Sequence, residues 1–241
     1  SFYNFESMIK AISGSSDSEY GDWSAKNWAR DKDILIIGSG PSTSVYLDDI
    51  IRYINQKSPI VLCLNVNEIF PSEFVTAYIA CHESRILIES GRYSDLKKPI
   101  ILPLNTLPDE LKRLLSGINV LDYGLRIKDD EFQILDNGCI LGNKLAVNYA
   151  LALATASGAK KVLLTGIDGY GDSDPRQLEI ISELERYKDL KKSIPIYAIT
   201  PTSYPIEYKS IYMSTRFDEM ALLLEKGKYF KLVCGAGNEE A

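Results

Sequence analysis

Several absences narrow the chain before any pattern is read. Its four cysteines, Cys63, Cys81, Cys139 and Cys234, are spread over 241 residues with no Cys-x-x-Cys pair. That argues against a zinc set or a disulfide frame, and Cys63 and Cys81 sit in or beside apolar runs, as small buried hydrophobes do. No apolar run approaches the length of a membrane span and no signal peptide is visible, so the expectation is a reduced, cytoplasmic protein. Positive charge is not in excess: 27 Lys and Arg stand against 33 Asp and Glu, a net charge of −6. A nucleic-acid polymer is therefore a poor partner, while a small anion can still bind in a local electropositive pocket. There is no internal repeat and no Gly-Lys-Ser/Thr, which excludes a P-loop. What is present, 45% apolar and 25% charged residues, suits one large α/β domain or one domain with appendages. The chain begins at Ser1 and not at Met, so it reads as a piece of something longer.

The organising stretch is 33–42. Residues 34–37 are an unbroken apolar run, followed at once by Gly38-Ser39-Gly40-Pro41-Ser42 and then by Val45, Ile50, Ile51 and Ile54 at helical spacing. A wholly apolar strand suits a parallel sheet covered on both faces. Glycines at its carboxyl end let the backbone turn sharply and approach a ligand. The following helix aims free N–H groups and its positive dipole end at the same spot, which favours phosphate. The plainer alternative is a tight strand-to-helix turn.

Further strands are expected at 60–64, 78–81, 100–102, 161–165 and 195–199, the last of the chain, with another over 120–125. Residues 132–140 read as irregular, with one edge strand at most. Helices are expected over 43–56, after Arg85, over 107–115, 143–157 and 178–191. The clearest is 143–157, with Leu145, Tyr149, Ala152, Leu153 and Ala156 on one stripe, Asn143 suited to the N-cap and Gly158 to the stop. Strands alternating with helices predict an α/β fold: a Rossmann-like wound, mostly parallel sheet with helices on both faces and right-handed crossovers. Residues 1–30 are expected to form an N-terminal helix (Phe2, Phe5, Met8, Ile9 and Ile12, stopped by Gly14) and a linker, with Trp23 and Trp28 packing on the domain edge. Residues 31–212 are the nucleotide-binding domain, and 213–241 a C-terminal helix, 216–226, and flexible tail.

In open parallel sheets ligands bind beyond the carboxyl ends of the strands, near the point where strand order reverses. The unusual polar residues fall there repeatedly: Gly38 to Ser42, Asn65 and Asn67, His82 and Arg85, Gly166 to Tyr170, and Thr200 to Ser203, with Thr202 on the substrate side. A dinucleotide fold is disfavoured, since Thr43 stands where the third glycine belongs and Asn65 and Asn67 where an acid would hold the ribose. The two Asn amides suit a base edge or ribose, or else bond their own turn. Gly142-Asn143-Lys144 opens a second helix towards the ligand, unless Asn143 is merely its cap. His82, the only histidine, is either a general base, a phosphate contact or a structural group. Arg85 holds a carboxylate or phosphate, or pairs with Glu83 or Glu89. Asp168 is a catalytic candidate or a turn cap, and Tyr170 offers its hydroxyl to a phosphate or packs. Asp172 and Asp174 belong to a solvated loop, with Mg²⁺ as an option for their carboxylates; no metal ligands are assigned.

The opening 36–42, the strand ending in Asn65 and the run Lys161 to Tyr170 together resemble the small bacterial sialyltransferases, which move an ulosonic acid from a CMP donor on a Rossmann-like sheet. The Gly-x-Gly-Pro-Ser opening is also similar to archaeal-type hydroxymethylpterin pyrophosphokinase-like domains. Ala80-Cys81-His82, Tyr123-Gly124-Leu125 and Ile199 to Tyr204 resemble the carboxyl-terminal domain of aldolase-like fusion proteins from bacterial surface-polysaccharide pathways, over roughly residues 25–212. On that likeness residues 1–15 would end a preceding aldolase barrel, a fused or associated partner. The sialyltransferase likeness implies that Gly38, Gly40, Pro41 and Ser42 approach the donor phosphate, that Asn65 meets the nucleotide, and that Gly166, Asp168 and Tyr170 border the donor. Those enzymes carry a lid histidine after the Gly-Ile-Asp strand, and this chain has none there, so His82 or an aspartate takes the base role or the reaction differs. The expectation is a glycosyltransferase-like domain taking a nucleotide-sugar donor and a carbohydrate acceptor. The alternatives are a metal-dependent diphosphokinase using ATP and a non-catalytic nucleotide- or sugar-binding module on an aldolase.

Overall fold

Strands that are apolar on both faces can be stable only between two covering layers, and the chain builds such a sandwich. The computed structural model describes residues 20–171 and 173–212. Strands β1 (Asp33–Ile37), β2 (Ile60–Leu64), β3 (Ala77–Ile79), β4 (Ile100–Leu102) and β5 (Val120–Asp122) run outward from the centre in chain order; β9 (Lys161–Thr165), β10 (Ile196–Ala198) and β11 (Glu207–Tyr208) are added on the other side of β1. The order β11-β10-β9-β1-β2-β3-β4-β5 is parallel throughout. This is the wound α/β, Rossmann-like sheet that the alternating pattern predicts, and its direction of growth reverses between β1 and β9.

The period of two along each strand sorts the core into two layers. Ile34, Ile36, Leu62, Ile79 and Leu164 face one side; Leu35, Ile37, Val61, Cys63, Tyr78 and Leu163 face the other. On the second side lie α2 (Leu47–Lys57), α3 (Glu83–Tyr93) and α4 (Asp109–Leu114), which bury Ile50, Tyr53, Ile86, Tyr93 and Leu111. On the first side lie α5 (Ala146–Ala156), buried almost all round, and α6 (Pro175–Asp189), which buries Ile180, Leu184 and Tyr187. α5 is rich in Ala and Leu because it must fit between the sheet and other elements, where a polar face would have no water.

Four expectations are corrected. The helix over 43–56 is two helices, α1 (Pro41–Val45) and α2, broken at Tyr46, which leaves helical geometry at φ −104° and ψ 16°. The strand over 120–125 divides at Tyr123, which is fully buried: β5 stays in the main sheet and β6 (Gly124–Ile127) leaves it. Residues 132–140, read as irregular, form the hairpin β7 (Phe132–Leu135) and β8 (Gly138–Leu141), giving a second sheet of order β6-β8-β7. These strands are four residues long, β6 and β7 with mixed exposure and β8 buried throughout, too short to show a period. The strand over 195–199 is followed by β11, whose two exposed residues carry no apolar signal.

Residues 20–30 are built into this body and not appended to it. Ala25 and Ala29 are fully buried in the first core layer, and Trp23 meets Trp28 edge to face at 5.8 Å. Gly21 is pressed between strands: a Cβ there would lie 2.1 Å from the Asp122 carbonyl oxygen. The helices expected over 1–14 and 216–226, Asp172 and Cys234 lie outside the described residues. Cys63, Cys81 and Cys139 are buried free thiols. Burial pushes the Cys63 and Cys81 thiols up to about 12, so they are inert and not nucleophiles.

Candidate functional site

Where β1 and β9 end side by side, their turns lock together. Gly38 N–H donates to Thr165 O at 2.8 Å and Gly40 N–H to Gly166 O at 2.9 Å. Gly166 sits at φ 66°, and a Cβ on it would lie 1.9 Å from Thr43 Oγ1, so only glycine fits. Asp168 reaches back across the junction: one carboxylate oxygen accepts Ser42 N–H at 2.8 Å and the other accepts the Ser42 hydroxyl. The hydroxyls of Ser42 and Thr200 share a hydrogen bond at 2.9 Å, and Gly166 N–H donates to Thr200 Oγ1 at 3.2 Å. Thr43 N–H is taken by Gly40 O, and Pro41 has none to give. Of the N–H groups expected to cradle a phosphate, only that of Ser39 has no partner among the described residues. The β1 turn is held by a carboxylate from the β9 turn, and Asp168 has a positioning task whatever else it does.

Around this junction lies a cleft of about 830 Å³ that gathers the strand-end turns into one place. Gly38, Ser39, Gly40 and Pro41 line it from β1, Asn65 from β2, His82 and Arg85 from β3, Asn143 from the approach to α5, and Gly166, Asp168 and Tyr170 from β9. Lys144, Ser84, Arg176, Glu179 and Tyr204 add to the walls, and Leu64, Ile88, Ile167 and Ile180 give them apolar stretches. Four predicted site residues stand outside the lining. Ser42 is buried on Asp168. Asn67 is buried, with Nδ2 donating to Gly38 O at 3.1 Å and Oδ1 accepting Ile69 N–H at 2.9 Å, so it takes the turn-bonding role. Thr202 donates to Ile167 O at 2.6 Å. Gly142 faces Glu183 and Arg186, whose atoms would lie 2.5 and 2.4 Å from a Cβ there.

Helix α5 presents its start to the cleft through Leu145, Ala146 and Val147. Its N-cap is Leu145, not Asn143, and no side chain caps it. Asn143 is exposed and offers its carbonyl to Leu145 N–H at 3.0 Å. Consequently the N–H groups of Ala146, Val147 and Asn148 have no acceptor among the described residues, an uncapped positive helix end beside the Lys144 ammonium. Lys144 pairs with Glu83, and Arg85 Nε lies 3.5 Å from Glu89 Oε1. Glu89 is buried; it also accepts Val66 N–H at 3.0 Å, which fastens the loop carrying Asn65 to α3. Burial raises the Glu89 carboxyl above its usual range, against the opposing pull of Val66 N–H and Arg85. Asn65 holds a left-handed φ of 58°, and its Oδ1 is buried without a partner among the described residues. His82 is half-buried at the N-cap of α3, its carbonyl accepting Ile86 N–H at 2.9 Å.

Asp174 caps α6, accepting Arg176 N–H at 3.0 Å, and its carboxylate also takes the Arg176 guanidinium. The same hydrogen bond holds the Asp174 carboxyl below its usual range. That carboxylate is committed to a cation already present in the chain, and among the described residues no group of three metal-ligating side chains occurs. Lys144 was expected only as part of a helix opening and Glu89 only as an ion-pair partner of Arg85, the pairing the structure shows; Arg176 was not expected at the site. Lys144 did carry a signal, standing just before the strongest helix; Arg176 and Glu89 look like ordinary charges of amphipathic helices.

A wound parallel sheet with a cleft of mixed polar and apolar lining at its switch point defines an α/β, Rossmann-like domain. No protein-family model matches the chain, and no curated protein matches it. Among the described residues no helix is long and apolar enough to cross a membrane.

Proposed function

We propose that this is a glycosyltransferase-like domain that binds a nucleotide-activated sugar, of the CMP-ulosonic acid kind, for bacterial surface-polysaccharide synthesis. The observation that carries the reading is the order of groups along one cleft. Arg85, Lys144 and the uncapped start of α5 stand at the β2–β3 side, Asp168 at the switch point, and Tyr170 and Tyr204 at the β9 side, where the lining cation, Arg176, is already paired with Asp174. A nucleotide-sugar fits that order: its phosphate meets the α5 amides and Lys144, its ribose hydroxyls donate to Asp168, and Arg85 pairs with a sugar carboxylate through the guanidinium nitrogens not turned to Glu89. Asp168 suits hydroxyl donors far better than phosphate, which its charge would repel.

In the reaction, the bond from the sugar's anomeric carbon to the phosphate oxygen breaks and CMP departs with the electron pair. The acceptor hydroxyl oxygen bonds to that carbon, and His82 takes the hydroxyl proton. The α5 amides stabilise the charge gathering on the leaving phosphate. A positioned base contributes about 10²–10⁴-fold, so His82→Ala is expected to lower turnover by that order and to leave CMP binding intact. Unchanged turnover removes His82 from the mechanism.

The deciding experiment is a thermal-shift panel of CMP, CDP, UDP, ATP and NAD, each with and without Mg²⁺. A ligand at 100 times its dissociation constant stabilises by about 2.7 kcal/mol. The expected result is a shift with CMP and no need for Mg²⁺; a shift only with ATP and Mg²⁺ turns the reading to a diphosphokinase. The commitment of Asp168 to Ser42 favours one second reading, a binding module without turnover, identified by CMP binding with no acceptor-dependent release.

A further inference from the structure

At the β9 end of the cleft two side chains form a surface fixed before any ligand arrives. The guanidinium carbon of Arg176 lies over the Tyr170 ring, 4.0 Å from its centroid. The Tyr170 backbone is pinned, its N–H donating to Gln177 Oε1 at 2.9 Å, and Gln177, buried, donates in turn to Ser203 Oγ at 3.0 Å. Arg176 is oriented by Asp174, with Nε 2.9 Å from one carboxylate oxygen and 3.2 Å from the other, and Nη2 on the second as well. Despite this ordering, Tyr170 remains 39% exposed, and both side chains line the cleft. The fork to Asp174 neutralises the guanidinium edge that a phosphate would use; one flat face lies on Tyr170 and the opposite face is left to stack. The Tyr170 hydroxyl has no hydrogen bond among the described residues. An ordered, exposed ring backed by a charge-balanced guanidinium has little to offer a phosphate and much to offer a planar π-system.

We infer that Tyr170 and Arg176 form the base subsite of the cleft. The base of a nucleoside phosphate stacks on the pair, and the ring of Tyr170, not its hydroxyl, supplies the contact. The inference rests on the nucleotide reading above and names which part of the ligand this end receives. It also fixes the ligand's direction, with the phosphate lying away from Tyr170, towards Lys144 and the α5 start.

The test compares the full chain with its Tyr170→Phe, Tyr170→Ala and Arg176→Ala variants, titrated calorimetrically with CMP, AMP and the base-free probes ribose 5-phosphate and pyrophosphate. Tyr170→Phe is expected to bind CMP within about twofold of the parent. Tyr170→Ala and Arg176→Ala are expected to weaken both nucleotides by about five- to a hundredfold, with the base-free probes unaffected. Circular dichroism and melting temperature confirm that each variant is folded, and Arg176→Ala, on a different element, stands in if Tyr170→Ala is not. The inference is overturned if Tyr170→Phe loses as much as Tyr170→Ala, if neither alanine variant weakens CMP, or if the parent binds base-free probes as tightly as CMP. In those cases the nucleotide cleft itself still stands, because CMP still binds. If the parent binds no nucleotide and no base-free probe, both readings fall together.

Discussion

Two helices open on the same cleft, and they treat their N-termini in opposite ways. α1 follows the Gly38 to Ser42 turn that looks, from its glycines, like a phosphate cradle. It is five residues long, and Gly40 and Ser42 give their amides to Gly166 O and Asp168. α5 follows no Gly-x-Gly turn, only the lone Gly142, yet its first amides have no acceptor among the described residues and Lys144 stands beside them. The lesson is that glycines report a need for close backbone approach, not what approaches. Here, at Gly38 and Gly40, it is the β9 turn: a Cβ on either would lie within 2.7 Å of Gly166 O.

The sharpest way to break the comparison is to force the two turns apart. Gly166→Ala places a side chain at a left-handed φ and against Thr43 Oγ1. Strain and overpacking together are expected to cost about 3–5 kcal/mol in chemical unfolding. A cost below about 1 kcal/mol would mean that the interlock relaxes freely. Next, Asp168→Ala leaves Ser42 N–H and its hydroxyl without their carboxylate, an expected loss of about 2–3 kcal/mol; if stability holds while ligand binding disappears, Asp168 belongs to the ligand and not to the turn.

At the other helix the expected effect moves from stability to binding. Lys144→Ala removes one part-buried ion pair, worth about 1 kcal/mol, and is expected to weaken CMP about tenfold, or about 1.4 kcal/mol. Equal binding by the variant would locate the phosphate elsewhere. Glu89 makes a pH prediction. Its folded carboxyl releases its proton at higher pH than the unfolded chain's, so its contribution to stability is fully present below the ordinary carboxyl value of 4.5 and is lost as pH rises through the folded value. Glu89→Gln should make the fall in stability above pH 4.5 shallower, though not flat, because burial raises Asp122 and Glu183 in the same direction. A slope identical to the parent's in urea unfolding would refute this. The smallest effect belongs to Asn143→Ala, within about 0.5 kcal/mol, since α5 takes no side-chain cap. A loss near 1 kcal/mol would restore Asn143 as the cap.

How much of this was legible follows from the range of each interaction. The strands 34–37, 60–64 and 161–165 were readable because burial on both faces demands an unbroken apolar run. The gathering of Asn65, His82, Arg85 and Tyr170 was readable because parallel strands put all their carboxyl ends on one edge. The small sheet was not, since its strands are four residues long and β6 pairs with β8 across a chain reversal. A turn-capping role for Asp168 was one of the alternatives, but which turn it holds was not readable, since its partner Ser42 is 126 residues away. The turn-bonding alternative for Asn67 was readable and is the one the structure takes, because an Asn bonding the amide two residues on is a local device.

By itself, the amino-acid order determined the layered architecture, the parallel sheet and the edge on which its polar turns collect, because hydrophobic periodicity and turn chemistry act over a few residues. Only the tertiary structure decided which amides stay open to a ligand. A backbone N–H is satisfied by whichever acceptor arrives within 3 Å, and for Gly40 and Ser42 those acceptors come from the far side of the switch point, more than a hundred residues along the chain.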